Sequence, residues 1–136
     1  MEESKLKTVG LFASLSPRDL RRVASVTDEI VVPAGTRLIH EGDFAHEFLL
    51  IRDGTAEVTR GGEAVATLGP GEFAGEIGAV RDVRRNATVT AATELAAIVM
   101  TARDLRQIAE EIPSVAAQID AAIAARSPGA SIEAPQ

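Results

Sequence analysis

Two short segments of the chain carry the residue types that can hold a phosphate group and a sugar hydroxyl. In the first segment, Gly75 is expected to begin a short helix, and the free backbone N–H groups at the start of a helix bind anions. Glycine has no Cβ, so a ligand can approach the backbone closely there. Glu76 follows directly, and its carboxylate is an acceptor suited to sugar hydroxyls.

The second segment supplies a cation and further donors. Arg85 stands nine residues after Glu76, just before a predicted strand, and the fork of its guanidinium group matches the oxygens of a phosphate. Asn86 and Ala87 are small and leave their backbone N–H groups open to the same ligand. Together the two segments predict a pocket for a compact molecule with one phosphate and one ribose-type hydroxyl.

The elements that must position these residues are short strands. Between Asp28 and Met100 the sequence consists of short, β-branched segments separated by glycine-containing turns, and Gly61-Gly62 predicts a hairpin. The candidate strands are Glu29–Val32, Arg37–His40, Glu47–Ile51, Ala56–Thr59, Ala64–Leu68, Ala87–Ala92 and Glu94–Met100. Many short strands with such punctuation predict a closed all-β sandwich or barrel.

Helical periodicity flanks the β region on both sides. Ser16 is a candidate N-cap for a helix from Pro17 to about Val26, and Thr101 is a candidate N-cap for a helix after the last strand. The predicted organisation is a lead-in over residues 1–10, helices over 11–26, a β-barrel over 28–100, C-terminal helices over 101–111 and 113–126, and a flexible tail over 127–136.

In their order along the chain, these segments resemble the cyclic-nucleotide-binding domain family, in its cAMP-receptor and regulatory-subunit form. Phe73–Ala79 and Arg85–Val89 look like the two parts of the family's phosphate-binding cassette, with the family's spacing from Glu to Arg. Three more segments resemble other motifs of the family, namely Leu11–Ser16, Gly35–Asp43 and Phe48–Val58. The resemblance covers nearly the whole chain.

The resemblance implies a mainly β fold, a double-stranded β-helix jelly roll of about eight strands with a short phosphate-binding helix and flanking N- and C-terminal helices. It implies that Glu76 contacts the ribose 2′-hydroxyl and that Arg85 pairs with the cyclic phosphate. The implied contacts to ribose and phosphate are Gly75, Glu76, Ile77, Gly78, Arg85, Asn86 and Ala87. The expected ligand is cAMP, but Asn86 stands where Ser, Thr or Ala is usual, which leaves cGMP open.

The implied function is that of a sensor or regulatory module. In the family the C-terminal helix, here Pro113 to Arg126, swings over the occupied pocket, so that binding becomes a signal to a partner protein or domain. An apolar stripe lies on this part of the chain and consists of Ile112, Val115, Ile119 and Ile123. It either forms core that covers the mouth of the barrel, or serves as a lid or docking face.

Two alternatives use the same residues differently. In the first, the chain is a degenerate member of the family, in which Glu76 and Arg85 form a buried ion pair and the domain serves as a ligand-independent protein-interaction module. In the second, His40, Glu41 and His46 form the metal site of a cupin-like enzyme. The His-x-His spacing of cupins is absent, so no metal site is predicted.

No group of residues supports catalysis, and the chain is predicted not to be an enzyme. Ser, Thr and His show no nucleophile constellation. The acidic pairs Asp28-Glu29 and Glu110-Glu111 lie at the ends of predicted elements, where we expect them to be exposed to solvent and without a role in acid–base chemistry. No cofactor is expected besides the nucleotide ligand.

Composition and charge narrow the class of protein further. The chain has 136 residues, enough for one domain, and is 46% hydrophobic and 25% charged, as globular proteins are. It has no cysteine, which excludes disulfides, thiolate metal sites and cysteine nucleophiles. The net charge of −6 argues against binding to nucleic acid. Arginine outnumbers lysine 12 to 2 and alanine is abundant, which indicates a GC-rich bacterial genome.

The ends of the sequence and its apolar runs set the expected location. Met1 to Lys7 is polar, which predicts no secretory signal, and no apolar run approaches the ~18–20 residues of a membrane span. A cytoplasmic protein without membrane contact is therefore expected. Only ten residues follow Arg126, so we expect a stand-alone domain without a DNA-binding region. We also expect a monomer or weak homodimer.

Overall fold

A computed structural model of the chain describes residues 1–42, 47–74 and 87–124, and these residues contain eight strands and five helices. The strands are β1 (Asp28–Val32), β2 (Arg37–Ile39), β3 (Glu47–Asp53), β4 (Ala56–Arg60), β5 (Glu63–Leu68), β6 (Phe73–Ala74), β7 (Thr88–Ala91) and β8 (Leu95–Thr101). The helices are α1 (Glu3–Leu6), α2 (Gly10–Ala13), α3 (Pro17–Ala24), α4 (Ala102–Glu111) and α5 (Pro113–Ala124).

The strands form two four-stranded sheets. The strand order is β1-β8-β3-β6 in the first sheet and β2-β7-β4-β5 in the second, and all neighbouring strands are antiparallel. The pairs β1–β8 and β2–β7 join the beginning of the β region to its end, as in a jelly roll. The mainly β jelly-roll fold expected from the sequence is confirmed.

All seven predicted strands are present, with ends that differ by one or two residues. The Gly61-Gly62 turn is also as predicted: Arg60 pairs with Glu63, and both glycines have positive φ, +60° and +85°. The strand β6 was not predicted. This strand is only two residues long and begins a glycine-rich segment whose spacing indicated a helix.

The helices begin where the capping residues predict. Ser16 Oγ accepts a hydrogen bond from the Asp19 N–H, and Thr101 Oγ1 accepts one from the Asp104 N–H, both at 3.1 Å. The segment 1–10, the lead-in of the sequence analysis, contains α1 with Leu6 fully buried. The predicted tail, residues 127–136, lies outside the described residues.

Two buried clusters share the first sheet as their common wall. The cluster inside the barrel contains Ile39, Leu49, Ile51, Ala56, Val58, Leu68, Ala74, Ala87, Val89, Ala91, Leu95 and Ala97. The cluster between the same sheet and the helices includes Leu6, Phe12, Leu20, Phe48, Leu50, Phe73, Ile98, Met100, Leu105, Ile108, Ile112, Val115 and Ile119. Successive residues of a strand point to opposite faces, so a strand buried on both faces has an unbroken apolar run, as β3 has over Phe48–Ile51.

The apolar stripe on the C-terminal helix is core, but its position differs from the prediction. Ile112, Val115 and Ile119 are buried in the cluster between the helices and the first sheet, and none of them belongs to the cluster inside the barrel. The stripe therefore covers the outer face of a sheet rather than the mouth of the barrel. The side chain of Ile123 lies outside the described part of the chain.

Glu29 on β1 forms two ion pairs, which corrects the prediction that it is exposed to solvent. Lys5 Nζ donates to its Oε1 at 2.9 Å and Arg52 Nε donates to its Oε2 at 2.6 Å, and only 14% of the Glu29 side chain is exposed. The hydrogen bond from Lys5, more than that from Arg52, lowers the pKa of Glu29, while burial acts against this shift. The two pairs connect α1, β1 and β3.

We expect Glu29→Gln to lower the free energy of unfolding by about 1 kcal/mol at pH 7. Because folding lowers the pKa of Glu29, its ionised form stabilises the protein fully above the ordinary carboxyl value of 4.5, and this stabilisation is lost as the pH falls below that value. Urea unfolding at pH 7 and near pH 3 should therefore show a difference from the wild type that is smaller at the lower pH.

The matched control for this prediction is Glu57→Gln, which alters an exposed glutamate on β4. We expect the control to change the free energy of unfolding by less than about 0.5 kcal/mol at either pH. A difference between wild type and Glu29→Gln that is equally large near pH 3 would contradict the assignment to the ionised carboxylate.

Candidate ligand-binding site

The structure describes one of the seven residues predicted to contact the ligand. Ala87 is fully buried in the cluster inside the barrel and directly precedes β7. The remaining six, Gly75, Glu76, Ile77, Gly78, Arg85 and Asn86, lie outside the described residues. The described structure therefore defines the two strands that these residues connect, β6 and β7.

These two strands belong to different sheets. β6 is the edge strand of the first sheet and pairs with β3, whereas β7 lies between β2 and β4 in the second sheet. Ala74, the last residue of β6, and Ala87 are both fully buried and belong to the cluster inside the barrel. The residues that connect these strands thus join one sheet to the other, and both ends of the connection are fixed in the barrel interior.

The turn that leads into β6 is held by hydrogen bonds on both sides. The Gly71 N–H donates to the Ile51 carbonyl at 2.8 Å, and the Ile51 N–H donates to the Glu72 carbonyl at 2.9 Å. The Glu72 carboxylate in turn accepts from the Gly69 N–H at 2.9 Å. Gly71 has a φ of +87°, which favours glycine at this position. The beginning of the candidate site is therefore fixed to β3.

The two residues of β6 face different clusters. Ala74 faces the barrel interior, whereas Phe73 belongs to the cluster under the helices, where its ring lies 5.4 Å from that of Phe48, centroid to centroid. Phe73 is two residues before Gly75. It connects the candidate site with the cluster that holds Val115 and Ile119 of α5, a role that the sequence analysis did not assign.

The start of β7 is held by Glu41, which the sequence analysis considered only as a metal ligand. The Glu41 N–H donates to Thr88 Oγ1 at 3.0 Å, and Glu41 Oε1 accepts from the Gly61 N–H at 3.1 Å. Over residues 1–42, 47–74 and 87–124, no three His, Asp or Glu side chains are grouped so as to hold a metal ion. His46 lies outside these ranges.

The junction between α4 and α5 is held by a bidentate ion pair. Glu111, the last residue of α4, accepts from Arg22 Nε at 2.7 Å and from Arg22 Nη2 at 3.2 Å. These hydrogen bonds lower the pKa of Glu111 and raise that of Arg22. Both side chains are partly exposed, so the pair contributes more to the geometry of the junction than to stability. Glu111 is exposed as predicted, but it has a structural partner.

Comparison with known proteins identifies the class to which this fold and site belong. The family model described as "Cyclic nucleotide-binding domain" matches residues 29–111, more than half of the chain. The chain belongs to the cyclic-nucleotide-binding domain family, as the motifs indicated. Domains of this family are regulatory and are not catalytic in themselves, which agrees with the prediction that the chain is not an enzyme.

Among curated relatives, the regulatory subunit of cAMP-dependent protein kinase from Schizosaccharomyces pombe is 38% identical over 94 residues, or 68% of this chain and 23% of the relative. The chain spans about a quarter of the length of the curated relatives it matches. These relatives are fungal, so they give no support to the bacterial origin that the composition indicated.

Among solved structures, the Thermus thermophilus catabolite activator protein is 26% identical, with a TM-score of 0.73, over 84% of this chain and 56% of that one. The regulatory subunit of a cAMP-independent protein kinase A from Trypanosoma brucei is 17% identical, with a TM-score of 0.78, over 93% of this chain and 46% of that one. The second likeness is one of fold. In the described residues, no helix is both long and apolar enough to span a membrane.

Proposed function

We propose that the chain binds a cyclic nucleotide, with cAMP as the preferred ligand, and that it acts as a regulatory module. The observation that carries the proposal is the placement of Ala74 and Ala87, which fix both ends of the cassette-like segment in the interior of a jelly roll of this family. The proposed contacts are Gly75, Glu76, Ile77, Gly78, Arg85, Asn86 and Ala87.

Each proposed contact has a distinct chemical role. The Arg85 guanidinium pairs with the cyclic phosphate, since its fork forms charge-assisted hydrogen bonds to two oxygens. The Glu76 carboxylate accepts a hydrogen bond from the ribose 2′-hydroxyl, and the backbone N–H groups near Gly75 and Ala87 add donors to the phosphate. The reaction is binding alone, with no bond made or broken and no cofactor.

The preference for cAMP rests on the relatives. The curated relatives are named as regulatory subunits of cAMP-dependent protein kinase, and we extend the ligand in that name to this chain. Asn86 offers an amide rather than a hydroxyl next to the base, so cGMP is the competing ligand to test.

We further propose that occupation of the site moves the C-terminal helix and that a partner protein reads the new surface. Phe73 supports this coupling, because it is buried with Val115 and Ile119 of α5 and lies two residues from the proposed phosphate contacts. A ligand that shifts Gly75 acts on Phe73, and through it on the packing under α5. We also propose that the protein is cytoplasmic and binds neither nucleic acid nor membranes.

Hydrogen–deuterium exchange with and without cAMP tests both parts of the proposal. We expect saturating cAMP to slow exchange at Ala87 and along β7 and to change exchange in α5. 5′-AMP carries the same base and sugar without the cyclic phosphate, so it serves as the control and is expected to change neither region.

The outcomes separate the alternatives. If cAMP slows exchange at β7 but leaves exchange in α5 unchanged, the proposed helix movement is contradicted and the proposed nucleotide binding is not. Unchanged exchange in both regions at millimolar cAMP and cGMP would contradict nucleotide binding, and would identify the chain as the ligand-independent interaction module of the family.

A further inference from the structure

The strand β1 lies at one edge of the first sheet and carries the most exposed large apolar side chain of the described residues. The order of this sheet is β1-β8-β3-β6, so β1 pairs with β8 on one side only. Val31 on β1 is 62% exposed, and the next such side chain, Val65 on β5, is 41% exposed. An edge strand presents a row of backbone N–H and C=O groups that can pair with a strand of another chain.

The other three edge strands that the structure describes have features that hinder such pairing. β2 has three residues and a register shift against β7, and β6 has only two residues. The register of β5 with β4 also shifts, and such irregularities turn an edge away from a partner strand. β1 pairs with β8 without a shift over all five of its residues and contains no proline. It is therefore the edge that is best suited to accept another strand.

The two faces of β1 differ in what covers them. Ile30 and Val32 pack against the cluster inside the barrel, so Glu29 and Val31 lie on the opposite face of the strand. Glu29 is held there by its ion pairs with α1 and β3. Val31 is two residues further along the strand and is mostly exposed. The charged residues of β1 occupy its first two positions, and its last three residues are apolar.

We propose that two copies of the chain associate weakly through β1, as an antiparallel pair of strands with Val31 opposite its counterpart in the second copy. The same register places Ile30 opposite Val32 of the second copy, and the two first sheets become one sheet of eight strands. A two-fold axis through this pair makes the interface self-complementary. Directly opposed β-branched side chains also favour the pairing of antiparallel strands.

The charges of β1 favour a second copy in this orientation. Asp28 lies three residues before Val31, so antiparallel pairing separates the two Asp28 side chains by six residues, or about 20 Å. Charges at that distance are largely screened at ordinary salt concentrations. A parallel pair would instead bring the two carboxylates side by side. Each chain has a net charge of −6, so we expect the association to strengthen as the salt concentration rises.

The expected affinity is low, because one strand of five residues buries less than the ~800 Å² per partner of a stable interface. We expect a dissociation constant of about 0.1–1 mM, which sedimentation equilibrium in high salt can measure. Val31→Lys places two like charges opposite each other and is expected to weaken the dimer at least ~10-fold. The matched control is Val65→Lys, which alters the other exposed valine and is expected to leave the dimer unchanged.

Crosslinking tests the register of the pair. The chain has no cysteine, so Val31→Cys introduces a single thiol. Directly opposed residues have Cβ atoms ~4.5–5.5 Å apart, close to the ~3.5–4.5 Å of a disulfide. With oxidised glutathione to take up the two electrons, Val31→Cys is expected to form linked dimers at least ~10 times faster than Val65→Cys. The Val65→Cys variant measures the rate of random collisions.

Thermal unfolding of each variant shows whether it is folded, and both valines are exposed enough to tolerate replacement. Equal rates of crosslinking in the two cysteine variants would overturn the inference. So would a wild-type chain that sediments as a monomer at ~1 mM in high salt, or a dimer that Val31→Lys does not weaken. These experiments contain no nucleotide, so their outcome is independent of the proposed ligand site.

Discussion

Replacing Arg85 by alanine is expected to weaken the binding of cAMP by about 10- to 100-fold. A hydrogen bond to a charged group is worth ~1.5–3 kcal/mol, and a loss of that size corresponds to this range of dissociation constants. Arg85→Lys keeps the charge but loses the fork that matches two phosphate oxygens, so it is expected to recover part of the affinity and not all of it. Calorimetric titration with cAMP measures all three chains.

The neighbouring Arg84 provides the control for Arg85. Arg84→Ala removes the same charge one position earlier, at a residue that is not among the proposed contacts, so we expect only a long-range attraction for the phosphate to be lost. It is expected to weaken binding by less than about 3-fold. Equal losses in the two variants would show that Arg85 acts as a general positive charge, and an unchanged affinity in Arg85→Ala would reject the proposed phosphate contact.

Gly54→Ala is expected to lower the free energy of unfolding by on the order of 3 kcal/mol or more. Gly54 lies in the turn between β3 and β4 with a φ of +86°, a conformation that costs a residue with a Cβ about 1–2 kcal/mol. An added Cβ would also overlap the carbonyl oxygen of Glu94 and lie 2.9 Å from Thr93 Oγ1. These atoms belong to the turn before β8, which must move to make room.

Gly62→Ala separates the two causes. Gly62 has nearly the same φ, +85°, but an added Cβ there meets no atom within 4 Å. We therefore expect Gly62→Ala to lower the free energy of unfolding only by the cost of the positive φ, about 1–2 kcal/mol. Urea unfolding of both variants measures the difference. Equal losses would mean that the turn containing Glu94 moves aside without cost, contrary to the tight packing the structure describes.

Local patterns predicted the elements of this fold well, because each depends on near neighbours. Ser16 and Thr101 cap the helices that follow them, and the two positive-φ glycines at Gly61-Gly62 form the expected hairpin turn. The unbroken apolar run in β3 was harder to interpret, since it results from burial on both faces of a sheet covered by helices on one side.

Local patterns did not predict the contacts between residues that are far apart in the sequence. Glu29 was expected to be exposed because it lies at the end of a predicted element. Its partners, Lys5 and Arg52, are 24 and 23 residues away, so no local pattern indicates them. Glu41 was considered as a metal ligand because His40 stands beside it, whereas its actual contact, Thr88, is 47 residues away. The tertiary fold brings these groups together.

The candidate site likewise has a part that local patterns predict and a part that they do not. The types and spacing of Gly75, Glu76 and Arg85 suffice to predict a phosphate and ribose pocket, because that chemistry depends on the residues themselves. The connection from the site to the C-terminal helix does not follow from spacing. It depends on the two faces of a two-residue strand, in which Phe73 packs under the helices and Ala74 faces the barrel.

Thermal unfolding of the unaltered chain with and without cAMP tests the central claim most directly. A ligand at about 100 times its dissociation constant stabilises the folded state by ~2.7 kcal/mol, which for a domain of this size raises the midpoint by roughly 8–12 °C. We predict a rise of this size with cAMP, a smaller rise with cGMP and none with 5′-AMP. An unchanged midpoint with millimolar cAMP and cGMP would contradict the proposal that the chain binds a cyclic nucleotide.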